Sequence, residues 1–258
     1  MKMEACGGTC RGPLRDHNED NVYVDGTFKG RDSSDDLLVW SARKEHPFTY
    51  AVFDGVGGEK CGETASLLAA ETLQKADGPG VAKRLQDTII DIHFHMRDAA
   101  KARQLREMGT TVAVLILDGN VSYASNVGDS RIYRFRDGEL TRLSHDHTQV
   151  QSLIDNRLID ENDARESNRA HVLTQYAGIA TEGDSIPTPH TSRAVLRPDD
   201  IFLLCSDGFT DVVADEDIEE MLDSSKQESA EQIVTSMISA AVKRKSRDNI
   251  SVVIVKCH

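Results

Sequence analysis

"TYAVFDGVGG", residues 49–58, is the stretch on which the fold turns. An apolar run of strand length, Thr49 to Phe53, stops at Asp54, and Gly55, Gly57 and Gly58 follow at once. A buried strand that ends on an acid, with backbone free to bend behind it, marks a tip where the chain approaches something closely. A lone Asp-Gly is ordinarily a turn, and Asp118-Gly119 and Asp137-Gly138 are read that way. Asp54 is set apart by the extra glycines and by the apolar strand leading to it.

On either side of this stretch the chain alternates runs of strands with pairs of helices. Strands are expected from the N-terminus to Cys10, over Asn21 to Val24, and through Thr110 to Phe135 with turns at "DGN" and "GDS". "FRDGEL" makes a further hairpin, and "DIFLLCSDG" and "NISVVIVKC" read as apolar strands. Helical spacing and composition mark "ETASLLAAETLQKA" from Glu63, a long segment from Val81 to Leu105, "VQSLIDNRLI", "DEDIEEMLDS" and "SAEQIVTSMISAAVKRK". Paired helices between strand runs favour an α+β sheet sandwich over a doubly wound parallel sheet. With no repeat, low-complexity tract or Pro/Ser-rich linker, residues 1–258 are expected to form a single domain.

Composition narrows the function. A net charge of −13 argues against nucleic-acid or anionic-membrane partners, which would repel the chain. No stretch approaches the roughly eighteen apolar residues of a membrane span, and the N-terminus lacks the apolar middle of a signal peptide, so a cytoplasmic protein is expected. The five cysteines are odd in number and scattered, which indicates neither a disulfide framework nor a zinc site.

The acids cluster where strands end. Asp20 precedes "NVYV", Asp54 ends "YAVF", Asp129 lies in "NVGDSR", Asp207 ends "IFLLCSD" and Asp248 precedes "NISVVIV". Carboxylates converging in a partly dry cleft must share protons or hold a cation. Oxygen-only donors select hard ions such as Mg2+ or Mn2+, and a glycine lets a backbone carbonyl join them.

In order, "RDHNED" (15–20), "FDGVGG" (53–58), "GTT" (109–111), "NVGDSRIY" (126–133), "LSHDHT" (143–148), "CSDGFTD" (205–211) and "RDNISVVIV" (247–255) resemble the metal-dependent serine/threonine protein phosphatases of type 2C, in their compact bacterial form. The resemblance spans nearly the whole chain. It implies a four-layer αββα sandwich of two antiparallel β-sheets flanked by helix pairs, with a flap-like segment at about 150–190. It implies two Mn2+ or Mg2+ ions and a third, weaker one, with a metal-activated water and no covalent intermediate. Asp54 would bridge the two ions, with Asp207 and Asp248 on one side and Glu19 and the Gly55 carbonyl on the other. Asp20 would hold metal waters, Asp129 with Asp207 the third ion, and Arg15 the substrate phosphate. The implied partners are phosphorylated proteins of a serine/threonine kinase, met by a monomer. A binding module on the same fold, or a phosphatase of a small phosphorylated metabolite, are the alternatives; the complete ligand set favours catalysis.

Other features read as structural. The residue after the metal-loop Asp-Gly is a histidine in many relatives and a candidate general acid; Val56 stands here and cannot donate a proton. Residues 28–48 read as a variable loop, and Arg165 and Arg169 in the flap region as solvated charges or contacts to a substrate protein. His93 and His95, two apart on a helix, face different ways. "SHDHT" is assigned no metal, and "KRKSR" (243–247) reads as cations favourable at a helix C-terminus. Cys205 is no phosphatase nucleophile, because Asp211 stands where the thiol mechanism wants an arginine.

Overall fold

The computed structural model describes residues 2–31, 33, 38–42, 47–57, 60–105, 108–160, 172–180 and 186–258. Strands and helices are numbered along the chain. One sheet holds β1 (Met3–Cys10), β4 (Leu38–Ala42), β10 (Arg131–Arg136), β11 (Glu139–Arg142), β13 (Ile201–Cys205) and β14 (Ile250–Cys257), in the order β11-β10-β13-β14-β1-β4. The other holds β2 (Asn21–Val24), β3 (Thr27–Phe28), β5 (Phe48–Phe53), β8 (Val112–Asp118), β9 (Val121–Val127) and β12 (His190–Val195), in the order β12-β9-β8-β5-β2-β3. Every pairing is antiparallel. β6 (Gly55–Val56) and β7 (Gly109–Thr110) form a separate two-stranded ribbon.

Period-two alternation sorts the apolar side chains of each central strand between two cores. Phe202, Leu204, Val253 and Val255 face the other sheet, where they meet Val22, Tyr50, Val52, Ala113 and Leu115. Their neighbours Leu203, Cys205, Val252 and Ile254 face outward, against helices α5 (Asp215–Ser224) and α6 (Ala230–Lys243). On the far side α1 (Lys60–Ala76) and α2 (Leu85–Ala102) cover Phe53, Val112, Val114 and Ile116. The layers are therefore helix, sheet, sheet, helix, as the resemblance implies. Short helices α3 (Gln149–Asp155) and α4 (Asp207–Thr210) complete the set. No helix among the described residues is long and apolar enough to cross a membrane.

Several expectations are refined. The long helix expected from Val81 opens as a 3-10 turn over Val81–Arg84 before α2 begins. The 28–48 segment, expected to be a loop, starts on the last residue of β3, contains the edge strand β4, which pairs with β1, and ends on the first residue of β5. Arg165 and Arg169 lie outside the described residues. His93 is buried and accepts from the Gly178 N–H at 3.1 Å, while His95 meets Thr72 Oγ1 at 3.2 Å, so the two do face different ways.

Phe202 is fully buried between the sheets. Phe202→Ala is expected to cost about 3–5 kcal/mol, read as a lower urea midpoint at unchanged slope.

Candidate metal centre

The acids sit at one end of the sandwich because β2, β5 and β9 from one sheet and β13 and β14 from the other place them at their ends. The local architecture is a set of hydrogen bonds that fix the backbone and leave carboxylates in the cleft. The Asp54 N–H donates to Thr111 Oγ1 at 3.0 Å. Its carbonyl accepts from the Thr111 N–H and from Thr110 Oγ1, both at 2.8 Å. Thr111 Oγ1 also meets Ser130 Oγ at 2.7 Å, tying the Asp54 tip to the turn that carries Asp129. The two threonines of "GTT" thus hold the strand end, and the β6–β7 ribbon prolongs it.

A second network holds Asp20. Its Oδ2 accepts from Ser206 Oγ at 2.8 Å and Ser251 Oγ at 2.7 Å. Ser251 Oγ lies 2.8 Å from Thr9 Oγ1, which accepts from Asn18 Nδ2 at 2.9 Å. Asn249 fastens the loop that carries Glu19: its Oδ1 accepts from the Glu19 N–H at 2.7 Å, and its Nδ2 donates to the carbonyls of Arg11 and His17. Buried Lys29 donates to the Asn18 carbonyl from behind. Asn249, Ser206, Ser251 and Lys29 are functional supports that sequence reading passes over; the only signal is that three of them adjoin, or lie close to, a strand-end acid.

Glycines set two close approaches. A Cβ on Gly62 would fall 2.9 Å from both the Gly55 carbonyl oxygen and Glu19 Oε2, so those two oxygens share one notch. A Cβ on Gly208 would collide with the Asn249 carbonyl and stand 3.2 Å from Asp248 Cβ, so only glycine lets the Asp207 turn lie against the Asp248 loop.

Electrostatics confirm the gathering. Burial, then the charges of Asp20, Asp207, Asp248 and Asp129, holds the Asp54 carboxyl well above the usual carboxylate range. Burial likewise raises Asp20 to about 7, with Asp248 and Asp207 adding to it and hydrogen bonds from Ser251 and Ser206 opposing it. Asp129 is raised by burial and by Asp207 and Asp146, and Glu19 by burial and Asp248 against the pull of Arg15. Arg15 is half-exposed at the edge of the cluster, with Nη2 at 2.5 Å from Asp248 Oδ2 and Nε donating to the Arg247 carbonyl. Asp146 is held by Arg131 at 2.7 Å, which makes "SHDHT" the brace expected of it. Cys205 is fully buried and burial raises its thiol far above neutrality, which disqualifies it as a nucleophile.

No three His, Cys, Asp or Glu side chains among the described residues are placed to hold a metal ion as they stand. Arg15 holds Asp248 Oδ2, and Ser206 and Ser251 both hold Asp20 Oδ2. The donor set nonetheless fits a hard divalent ion, being all oxygen, anionic in excess, and joined by a backbone carbonyl in the Gly62 notch.

A family model described as protein phosphatase 2C matches residues 28–250. The chain belongs to the protein phosphatase 2C family. It is 30% identical over 267 residues to the serine/threonine phosphatase Stp of Listeria innocua, covering 98% of this chain and 96% of that protein. It is 32% identical to the serine/threonine protein phosphatase PstP of Mycobacterium tuberculosis, across 95% of this chain and 43% of the longer relative. The crystal structure of PstP/Ppp from M. tuberculosis superimposes with a TM-score of 0.82 at 28% identity over 100% of both chains. A PstP catalytic domain in complex with two manganese ions gives 0.77 at 27% identity, covering 99% of each chain. This member of the family is a protein serine/threonine phosphatase.

Because the folded-state pKa of Asp20 is raised from 3.8 to about 7, its contribution to stability is complete below pH 4 and lost as pH rises through 7. Asp54 and Asp129 shift in the same direction. Chelated protein is therefore expected to melt higher at pH 6 than at pH 8, and Mn2+ to reduce the difference. Asp54→Asn is expected to raise the melting midpoint of the chelated protein at pH 8 by about 2–4 °C for each kcal/mol of repulsion relieved. Calorimetry showing no pH difference would count against the shared field.

Proposed function

We propose that the chain hydrolyses phosphoserine and phosphothreonine in proteins, reversing the work of a serine/threonine kinase, at a centre built from its strand-end acids. The observation that carries this reading is the single field joining Asp54 to Asp20, Asp207, Asp248 and Asp129. Asp54, Asp207 and Asp248 would hold one ion, and Asp54 with Glu19 and the Gly55 carbonyl would hold the other. Asp20, held by Ser206 and Ser251, would orient metal-bound waters, and Asp129 with Asp207 would hold a third, weaker ion. Two Mn2+ or Mg2+ ions, when bound, supply an activated water and neutralise charge on the phosphoryl oxygens.

The remaining work falls to side chains. Arg15 stands half-exposed where a phosphoryl group enters, and its planar fork suits two phosphate oxygens at once. The carbonyl of Arg247 and the carboxylate of Asp248 fix that fork at the mouth. The threonine bonds to Asp54 hold its backbone in place at the strand end, which fixes where its carboxylate is rooted. Val56 supplies no proton, so protonation of the leaving alkoxide falls to water or another residue.

After chelation, hydrolysis of p-nitrophenyl phosphate and of a phosphothreonine peptide is expected to return with Mn2+ or Mg2+. Asp54→Ala is expected to lose at least about 100-fold in rate, near 2.7 kcal/mol of barrier. Retention of more than about a tenth of the rate, about 1.4 kcal/mol, would count against Asp54 as a ligand.

A further inference from the structure

Beside the acid cluster lies a second concavity, a cleft of about 1190 Å³. It shares a wall with the centre: Pro13 and Leu14 precede Arg15, Thr210 and Asp211 follow Asp207 through α4, and Arg247 precedes Asp248. Its charge opposes that of the protein. Arg131, Arg142, Arg244, Lys245 and Arg247 line it against Asp146, Asp211, Asp215 and Asp217, five cations to four carboxylates on a chain of net charge −13.

The carboxylates all have partners. Asp146 pairs with Arg131 and Arg142, Asp215 with Arg131 and Tyr133 Oη, and Asp217 with Arg244. Asp211 also has a partner. Lys245 and Arg247 are the exposed cations of the cleft whose side chains form no ion pair among the described residues.

Lys245 is held at a conformational cost. Helix α6 ends in a Schellman motif, with the Lys245 N–H bonded to the Val242 carbonyl and the Ser246 N–H to the Ala241 carbonyl. Lys245 occupies its left-handed position at φ 61°, where glycine is the unstrained choice. Between the two cations Ser246 is buried, its Oγ donating to the Gly208 carbonyl at 2.7 Å. That bond fixes Lys245 and Arg247 in register with the Asp207 loop. Exposed Leu14 and half-buried Val212 and Ile154 add apolar surface to the same cleft.

We propose that this cleft seats the stretch of the phosphoprotein substrate beside its phosphorylated residue, and that Lys245 and Arg247 select acidic residues in that stretch. The inference rests on the phosphatase reading above and adds a substrate class to it. The charge inversion, the shared wall and two cations held in fixed register beside the reacting centre all favour an acidic polypeptide as the occupant.

The test compares phosphothreonine peptides carrying Glu, Ala or Lys before or after the phosphoresidue, with Mn2+ present and p-nitrophenyl phosphate run in parallel. Glu on one flank is expected to raise kcat/KM about two- to fivefold per cation over Ala, the worth of an exposed ion pair, and Lys to lower it. The Glu/Ala ratio should shrink in 0.5 M salt and in Lys245→Gly. Because that variant relieves left-handed strain, its melting midpoint should not fall, which separates lost selectivity from lost structure. Hydrolysis of p-nitrophenyl phosphate with equal rates on all peptides, or a ratio unmoved in Lys245→Gly, would overturn the proposal. A ratio that vanishes as enzyme concentration rises would assign the cleft to a second copy and overturn it too. Failure to hydrolyse p-nitrophenyl phosphate would instead overturn the phosphatase reading, and the cleft's role with it.

Discussion

Repulsion among carboxylates at one end of the sandwich is the constraint that the rest of the structure answers. Asp20, Asp54, Asp129, Asp207 and Asp248 are brought into one field by strands of both sheets. A cluster of that kind is unfavourable unless protons or cations enter it. Everything nearby works to hold it: threonines at the Asp54 backbone, serines on Asp20, and Asn249 across three segments of the N-terminal loop. The apolar cores behind these networks, fully buried on both faces of the central strands, supply the stability against which such a site is held open.

Most of this was legible in the chain, for identifiable reasons. Asn21–Val24 and Asp215–Ser224 appear with the limits read from sequence, the first closed by the left-handed Asp25–Gly26 turn and the second opened by three acids in its first turn. β12, "HTSRAV", went unread because it is a largely exposed edge strand with no apolar alternation to announce it. β4, "LVWSA", is a short apolar run hidden between charged stretches. β13 and β14 are apolar on both faces, so their period could not be read, only their presence.

The site divides along the same line. The acids were visible because a charged residue at the end of an apolar strand violates the local pattern. Their supports were not, since Ser206, Ser251 and Asn249 are ordinary polar residues whose partners lie up to 238 positions away. Nor could sequence show that Arg15 meets Asp248, a pairing across 233 positions. Long-range partners are set by topology, which a single sequence encodes only through its whole pattern.

One consequence follows from where the acids are anchored. Asp54 and Asp129 ride on the sheet that contains β5 and β9, while Asp207 and Asp248 ride on the sheet that contains β13 and β14. An ion held by Asp54 from one sheet and by Asp207 and Asp248 from the other would act as a rivet through two plates that otherwise meet through nonpolar packing and the serine bonds to Asp20. Sliding one plate over the other would stretch such a grip, so an ion bound there would stiffen the sandwich against shear.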